Sequence, residues 1–594
     1  MRSISPLRSL LSVLVVPALW ICSPSLLAQE PEALPQLIPA NELVESADEV
    51  NLIEEGRTTN QAQLWIELIT QRFPHRLTGS PHLKMAQMWV LESFEGWDVE
   101  ARLEQWGEVE VGFERSVSKG TLLGKTPLEL QFTTPAWSAG TDGISRGKVM
   151  IELESFEQLE QRKEEYKGAW VLRNPAVSRR EGAKRTELMT EVGAAGYIQP
   201  GSRDGRLITG GSRNITWDKL PRLPRVTLLY EQFESLLKSV GAGEQKELEF
   251  EIHNQFLHGP IPQHNVIVDI KGTQWPDEYV IVQGHIDGWD GAQGACDNGT
   301  GVSTTMSAAH MLLANGIKPK RTIRFIFYSG EEQGLLGSRG FVDLHVDELD
   351  KISVVLNHDN GTNYLSGIQA TAAMLEDFQH VFAPIMKLDP ARPFKIHEVD
   401  GLKGGSSDHA SFLAVGVPGF HWEQSHEGYR RLHHTQYDTI EEVNHEDQRH
   451  SSLVVALAAL RFANLDHLID RTMMREPAPR RMGVFLAGDK QTIVGSVSPG
   501  GMAAAAGWQE GDLIVSINGV AVDSRSSIVE QLGMAGAAKT FVLKRAEEEV
   551  ESVLDWSEDP EEAERSAWAA HKAALPAEHE PEPAPASESE PKKE

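Results

Sequence analysis

The stretch Glu278–Asp287, Glu-Tyr-Val-Ile-Val-Gln-Gly-His-Ile-Asp, leads from a short apolar run to a histidine and an acid. Two later stretches follow the same plan, since Thr322–Tyr328 leads to Glu331 and Ile352–Leu356 leads to Asp359. Such short apolar runs are typical of buried parallel strands. Ligands collect beyond the carboxyl ends of the strands in open α/β sheets, so we expect these polar residues to meet in one crevice. The sequence therefore predicts an α/β region with a site at this sheet edge.

The residues that follow these runs supply the ligands that two neighbouring zinc ions require. A zinc pair takes histidine and carboxylate ligands, one carboxylate between the ions, and a nearby carboxylate that accepts a proton from water. Asp297 is the candidate bridge, because one carboxylate can span ions about 3.5–4 Å apart. Asp287 is placed to accept a hydrogen bond from the free imidazole N–H of His285 and so fix its tautomer. The set is offered in five motifs: His285-x-Asp287, Asp297-Asn298, Glu331-Glu332, Asp359 and His433-His434-Thr435-x-x-Asp438.

In this order, the five motifs resemble the M28 family of zinc peptidases, and within it the carboxypeptidase Q group. The similarity covers roughly Asn51 to Asp470 and includes the turn Arg76–Pro81. The resemblance implies an α/β zinc-exopeptidase fold, in which helices flank a mixed sheet and a β-rich protease-associated (PA) domain is inserted. It also implies zinc as the cofactor, a peptide as the substrate and a homodimer as the assembly.

The resemblance further assigns a role to each residue of the site. It implies two sets of zinc ligands, His285, Asp297 and Asp359 for one ion, and Asp297, Glu332 and His434 for the other. Glu331 would be the general base for a metal-bound hydroxide that attacks the peptide bond. His433 stands where other branches of the family have a tyrosine, and it could donate a hydrogen bond to the tetrahedral oxyanion.

Composition, turn signals and family resemblance together divide the chain into eight predicted segments. The resemblance to a PDZ domain lies in the order of Met482–Phe485, Val494–Ala503 and Gly511–Gly519. Arg2, Arg8, an apolar stretch and Ser25–Ala28 follow in the order of a secretory signal peptide. From Ser557 onward, a composition rich in Pro, Ala and Glu buries too little apolar surface to fold. The predicted segments are a signal peptide (1–28), an extended leader (29–50), the N-terminal helical part of the peptidase domain (51–115), a PA-like insertion (116–254), the M28 catalytic domain (255–470), a linker (471–480), a PDZ-like domain (481–546) and an acidic disordered tail (547–594).

Charge, hydropathy and cysteine content exclude several classes of protein. A net charge of −30 argues against nucleic acid binding, which needs a positive field. After the signal peptide, no segment is long and uncharged enough to span a membrane, so we predict a secreted or periplasmic protein. Cleavage would leave Cys296 as the single cysteine, which excludes an intramolecular disulfide.

Three further motifs each have two interpretations. Gly404–His409 contains Ser, Asp and His, and we interpret it as a glycine-rich loop at the substrate rim rather than a nucleophile or metal site. Cys296 is interpreted as a small buried filler rather than a third metal ligand or redox sensor. The PDZ-like segment could bind peptide carboxyl termini with Gly483 in the carboxylate loop, or could merely pack on the catalytic unit.

These features predict an exported zinc exopeptidase that hydrolyses dipeptides or short peptides. One alternative within the same class is an aminopeptidase on longer peptides or a glutamate-type carboxypeptidase. A second alternative is a non-catalytic scaffold, in which the PA-like and PDZ-like domains bind peptides and the zinc site is vestigial. The scaffold predicts full biological activity after Glu331→Gln, and the enzyme predicts its loss.

Overall fold

The computed structural model describes residues 37–211, 215–474 and 477–574. The predicted signal peptide and the last 20 residues of the predicted tail lie outside them. Within the described ranges, no helix combines the length and apolar character needed to cross a membrane.

A six-stranded mixed sheet forms the centre of the catalytic domain. The strand Asn254–Ile270 pairs antiparallel with its neighbour on each side, and all other neighbouring strands of the sheet pair parallel. The three predicted apolar runs are parallel neighbours, and all eight residues of Arg321–Tyr328 are buried. The predicted α/β fold class is therefore confirmed. Across the sheet, the strands are Glu100–Arg115, Asn254–Ile270, Arg321–Tyr328, Trp275–His285, Ile352–Asn357 and Gly419–His421.

Helices cover the faces of this sheet. His445–Ala463 buries nearly all of its C-terminal half against the sheet and against Thr300–Ala314. Its start is fixed by Asn444, whose side chain accepts the Asp447 N–H at 3.1 Å. A small sheet of Lys395–Glu398, Leu365–Ala370 and Glu423–Gln424 extends the domain. The other α-helices described in this domain are Ala40–Leu43, Ala47–Thr58, Ala62–Arg72, Pro81–Glu95, Leu336–Leu344, Leu375–Phe382, His409–Ala414 and Tyr429–Leu432.

Two predicted segments at the amino-terminal side are wrong in part. The extended leader (29–50) includes helical residues from Ala40 onward, because Ala40 and Val44 are buried in the main core. The helical part (51–115) ends at Glu95 and is followed by a 16-residue strand. That strand pairs with Asn254–Ile270 over most of its length, and this long ribbon carries the chain into the inserted segment and back.

The inserted segment forms its own eight-stranded sheet between Lys119 and Glu251. Its apolar core is separate from that of the catalytic domain and includes Trp170, Phe233 and Phe250. Helices Phe156–Gln161, Gly182–Glu191 and Tyr230–Gly241 pack beside it. Across the sheet, the strands are Leu128–Glu129, Lys119–Leu123, Glu247–Glu251, Ser145–Ile151, Trp170–Leu172, Gly196–Pro200, Arg225–Leu228 and Phe132–Thr133.

The C-terminal domain is a small β domain with its own core, which includes Val494, Ile514 and Phe541. Gly483, the residue predicted for a carboxylate loop, takes a φ of +80° and precedes the edge strand Val484–Ala487. Peptide binding there stays a prediction. The strands are Val484–Ala487, Ile493–Val497, Leu513–Ile517, Val520–Ala521, Ala538–Arg545 and Glu548–Asp555, and the helices are Met502–Ala505, Arg525–Gly533 and Glu562–Ala574.

The predicted disordered tail (547–594) is wrong for its first half. Glu548–Asp555 is a strand paired with Ala538–Arg545, and Glu562–Ala574 is a helix. The acids of the strand alternate with residues that face the core, and Leu554 and Trp556 are buried there. The acidic composition of this segment therefore hid the alternation of exposed and buried residues that is typical of a strand. Glu562 also forms a buried ion pair with Arg480, which the sequence had placed in a linker.

Candidate metal centre

The predicted ligands come from loops at the carboxyl edge of the central sheet. His285 ends the strand Trp275–His285, and Asp359 lies two residues beyond Ile352–Asn357. Glu331 and Glu332 lie beyond Arg321–Tyr328. Strand register brings these loops together, because Gln283 pairs with Asn357 and His285 pairs with Tyr328. Asp297 precedes the helix Thr300–Ala314, and His433 and His434 follow the helix Tyr429–Leu432.

The two carboxylate oxygens of Asp297 face two different histidines. Oδ1 lies 3.3 Å from Nε2 of His285, and Oδ2 lies 3.0 Å from Nε2 of His434. The side chain is buried, so neither oxygen is free to turn into solvent. This is the arrangement expected of a carboxylate that bridges two metal ions.

Each histidine has a second acid beside it. Nε2 of His285 lies 3.2 Å from Oδ1 of Asp359, and Nε2 of His434 lies 3.0 Å from Oε2 of Glu332. The structure thus brings together all five predicted ligands in two sets that share Asp297. His433 lies close by, with its Nε2 3.7 Å from Oδ2 of Asp297 and its ring stacked on that of His434.

This donor set fits zinc. Two groups, His285 with Asp297 and Asp359, and Asp297 with His433 and His434, hold their ligand atoms within 4.8 Å of one another. Oε1 of Glu332 is buried with no hydrogen-bond partner among the described residues. Buried carboxylates that face one another are unfavourable unless cations lie among them. Nitrogen and oxygen donors from histidine and carboxylate are ligands that zinc accepts.

Asp287 supports the site through a different atom from the one predicted. The acceptor nearest to Nδ1 of His285 is the backbone carbonyl of Asp287, at 3.1 Å, whereas its carboxylate oxygen lies 3.6 Å away. The carboxylate instead accepts the backbone N–H groups of Glu331 and Glu332, both at 3.3 Å, and the hydroxyl of Thr78 at 3.0 Å. Asp287 therefore positions the loop that carries Glu331 and Glu332.

Two supporting residues had no role in the sequence interpretation. Asp438 accepts the backbone N–H groups of Cys296 at 2.5 Å and of Asp297 at 3.2 Å, and burial raises its pKa to about 8. Arg76 is fully buried and donates to the carbonyls of Ile286, Gln293 and Gly294, which joins the loops after His285 and before Asp297. Both residues lie within quoted motifs, but the backbone groups that they hold are far away in sequence.

Glu331 belongs to neither of the two groups of clustered ligand atoms. It is buried but lines the cleft beside Glu332. Burial raises the pKa of Glu331 well above its usual value, and the neighbouring carboxylates of Asp359 and Glu332 add to this effect. A carboxylate in such surroundings can accept a proton from a substrate water and release it again.

A cleft of about 990 Å³ opens onto the metal centre. Gly404–Ser407 lines it, as expected for a loop at the substrate rim, together with His409 and His421. Two basic side chains, Arg339 and Lys403, also line the cleft. Cys296 is buried, and burial raises the pKa of its thiol well above the usual value; its role as a small filler next to Asp297 stays a prediction.

Two parts of the chain match known protein families. Residues 265–459 match peptidase family M28, and residues 493–545 match a PDZ domain. Carboxypeptidase Q of Xenopus laevis is 26% identical over 405 residues, which cover 66% of this chain and 83% of that protein. Human carboxypeptidase Q is 25% identical over 439 residues, which cover 71% of this chain and 89% of that protein.

A solved structure supports the same fold. The peptidase M28 precursor from Shewanella amazonensis superposes with a TM-score of 0.55 at 22% identity, over 73% of this chain and 100% of that chain. The match over the full length of that structure, the family match and the grouping of the predicted ligands all point to the same peptidase fold. Residues 265–459 thus match peptidase family M28, residues 493–545 match a PDZ domain, and the chain is similar to carboxypeptidase Q over about two thirds of its length.

Proposed function

We propose that this protein is an exported exopeptidase that uses two zinc ions to hydrolyse dipeptides or short peptides. The observation that carries the proposal is Asp297, whose two oxygens face His285 on one side and His434 on the other. One of the two ligand sets already offers the three protein ligands of a single zinc ion, so the second histidine with its own acid supports a second ion. The similar proteins named carboxypeptidase Q support an exopeptidase.

The two ligand sets, Glu331 and Asp287 have separate roles in the proposed reaction. Zinc ions bound by the two ligand sets would polarise the scissile carbonyl and make a water molecule more acidic. Glu331 takes the proton from the attacking water and later gives it to the leaving amine. Asp287 holds the backbone of Glu331 and Glu332, so that one carboxylate faces the cleft and the other faces His434.

The charges that line the cleft favour a short substrate with free ends. The acids of the metal centre, including Glu331 and Asp359, attract an α-amino group. Arg339 and Lys403 supply positive charge for a terminal carboxylate in the same cleft. A dipeptide carries both charges close to the bond that is cut.

A matched substrate set tests this proposal. We expect the mature protein to cleave a dipeptide, to lose cleavage of its N-acetylated form, and to cleave its C-amidated form poorly. A chelator should abolish all cleavage, and added zinc should restore it. Rapid cleavage of the amide would indicate an aminopeptidase. Cleavage that survives acetylation would indicate a carboxypeptidase. If protein loaded with two zinc ions cleaves none of the three, the dipeptidase proposal is wrong.

His433 is the residue we propose as the donor to the oxyanion. Its ring lies between those of Tyr429, at 4.9 Å, and His434, at 3.8 Å, and is partly exposed to the cleft. We expect His433→Ala to lower kcat by about 10²–10³-fold and to leave zinc uptake unchanged, because the lost hydrogen bond forms in the transition state. Steady-state kinetics and zinc analysis measure both effects.

His426→Ala is the matched control for that variant. His426 also lines the cleft and contacts Tyr429, with ring centroids 6.0 Å apart, and we expect a change of less than a few-fold. An unchanged kcat in His433→Ala would end the oxyanion role. Loss of zinc from His433→Ala would instead make His433 a ligand.

A further inference from the structure

His434 holds a backbone conformation that its neighbours must maintain. Its φ is +54°, in the left-handed region that residues with a side chain seldom adopt. Such a conformation costs free energy and persists only where surrounding contacts fix it. The contacts that fix His434 therefore also fix the position of its imidazole beside Asp297 and Glu332.

The inserted domain supplies one group of those contacts, and the catalytic domain supplies others through Thr435, whose backbone N–H and hydroxyl both donate to the carbonyl of Leu432. The loop Gly205–Thr209 of the inserted domain, here called the insertion loop, runs beside the turn that carries His433 and His434. The backbone N–H of Thr209 donates to the carbonyl of His434 at 2.9 Å. Ile208 forms an antiparallel bridge with Thr435.

Gln436 clasps the insertion loop with three hydrogen bonds. Its side-chain oxygen accepts the backbone N–H of Leu207 at 2.7 Å, and its side-chain nitrogen donates to the carbonyl of Gly205 at 3.0 Å. Its backbone N–H donates to the carbonyl of Leu207 at 3.3 Å. The side chain of a residue two positions after His434 thus bonds both a backbone N–H and a backbone carbonyl of a loop about 230 residues earlier in the chain.

The insertion loop also packs against the other side of the metal centre. Thr209 is buried against Gly291, where an added Cβ would lie 2.0 Å from its methyl carbon. Gly291 belongs to the loop that joins His285 to Asp297. The ring of Trp289, in the same loop, packs edge-on against that of His434, with centroids 6.2 Å apart. The insertion loop is therefore held between the two segments that carry the ligands.

We propose that the inserted domain completes the metal centre, because its insertion loop, clasped by Gln436, holds His434 where it can bind the metal ion shared with Asp297 and Glu332. The inference rests on the proposed two-zinc function. Gln436 is then a positioning residue that acts through His434. The His285 and Asp359 ligand set makes no hydrogen bond to the insertion loop among the described residues, so it keeps its affinity when the clasp is removed.

Zinc titration of the full metal-free chain tests the clasp. Competition with a chromophoric chelator gives the affinity of each metal position without any use of activity. We expect Gln436→Ala to weaken one position by about 10–100-fold, the range seen when a partner of a metal ligand is lost, and to leave the other unchanged. Gln436→Glu keeps the acceptor for Leu207 but sets a carboxylate oxygen against the carbonyl of Gly205, so we expect a loss at the same position that is at least as large.

Gln232 provides a matched control inside the inserted domain. It clasps backbone in the same way, since it accepts the N–H of Gln131 at 2.8 Å and donates to the carbonyl of Glu129 at 3.1 Å. Gln232→Ala should leave both metal positions unchanged, because this clasp does not involve the insertion loop. If Gln436→Ala fails to fold, Gln436→Glu is judged by the same titration.

The outcomes separate this inference from the proposed function. Wild-type affinity at both positions in Gln436→Ala and Gln436→Glu would overturn the inference and leave the two-zinc function standing. Equal weakening of both positions would also overturn it, since that result indicates general disruption. A wild-type chain that binds a single zinc ion would instead overturn the proposed function itself.

Discussion

Glu331→Gln is expected to lower kcat by about 10²–10⁴-fold while the protein keeps its zinc. The change preserves the shape of the side chain and removes its ability to accept a proton. Glu331 belongs to neither ligand group and lines the cleft, so zinc binding should not depend on its charge. Turnover of the best dipeptide, measured alongside zinc content, checks both parts of this expectation.

Glu332→Gln is the matched control, because the two acids are neighbours in sequence and face different partners. Oε2 of Glu332 lies 3.0 Å from Nε2 of His434, so its replacement should weaken zinc binding. Activity of Glu331→Gln within a few-fold of wild type would place the general base elsewhere. Full biological activity of a catalytically dead Glu331→Gln protein would favour the scaffold alternative.

The strands and ligands were predictable because their signals are local. A strand buried on both faces is rich in apolar residues, as in Arg321–Tyr328, and the predicted ligand Glu332 follows within four residues of its end. The order of the five motifs then identified the family resemblance, which implied the two sets of metal ligands. The structure brings together all five ligands that this order implied.

The remaining errors come from interactions that local patterns do not contain. Asp438 and Gln436 act through backbone groups that lie about 140 and 230 residues away in sequence. The carboxylate of Asp287 accepts hydrogen bonds from the loop of Glu331 and Glu332, after another strand, rather than from the nearby His285. The strand Glu548–Asp555 shows a related limit, because its acidic outer face dominates the composition while Leu554 reaches the core.

Asp297→Ala is expected to remove both zinc ions and to reduce activity to that of chelator-treated protein. Each ligand set loses a donor, since Oδ1 faces His285 and Oδ2 faces His434. A metal left with two protein ligands binds far more weakly than one with three. Zinc analysis after dialysis, with turnover of the same dipeptide, measures the loss.

Asp359→Ala separates a bridging ligand from a terminal one. Of the two ligand histidines, Asp359 faces His285, with its Oδ1 3.2 Å from Nε2 of that ring. Loss of Asp359 should therefore weaken the metal position at His285 and leave the position at His434 and Glu332 unchanged. One zinc ion per chain in Asp359→Ala and none in Asp297→Ala is the pattern that a shared carboxylate requires. If Asp297→Ala retained one ion at wild-type affinity, Asp297 would serve a single metal position, and the two sets would be independent.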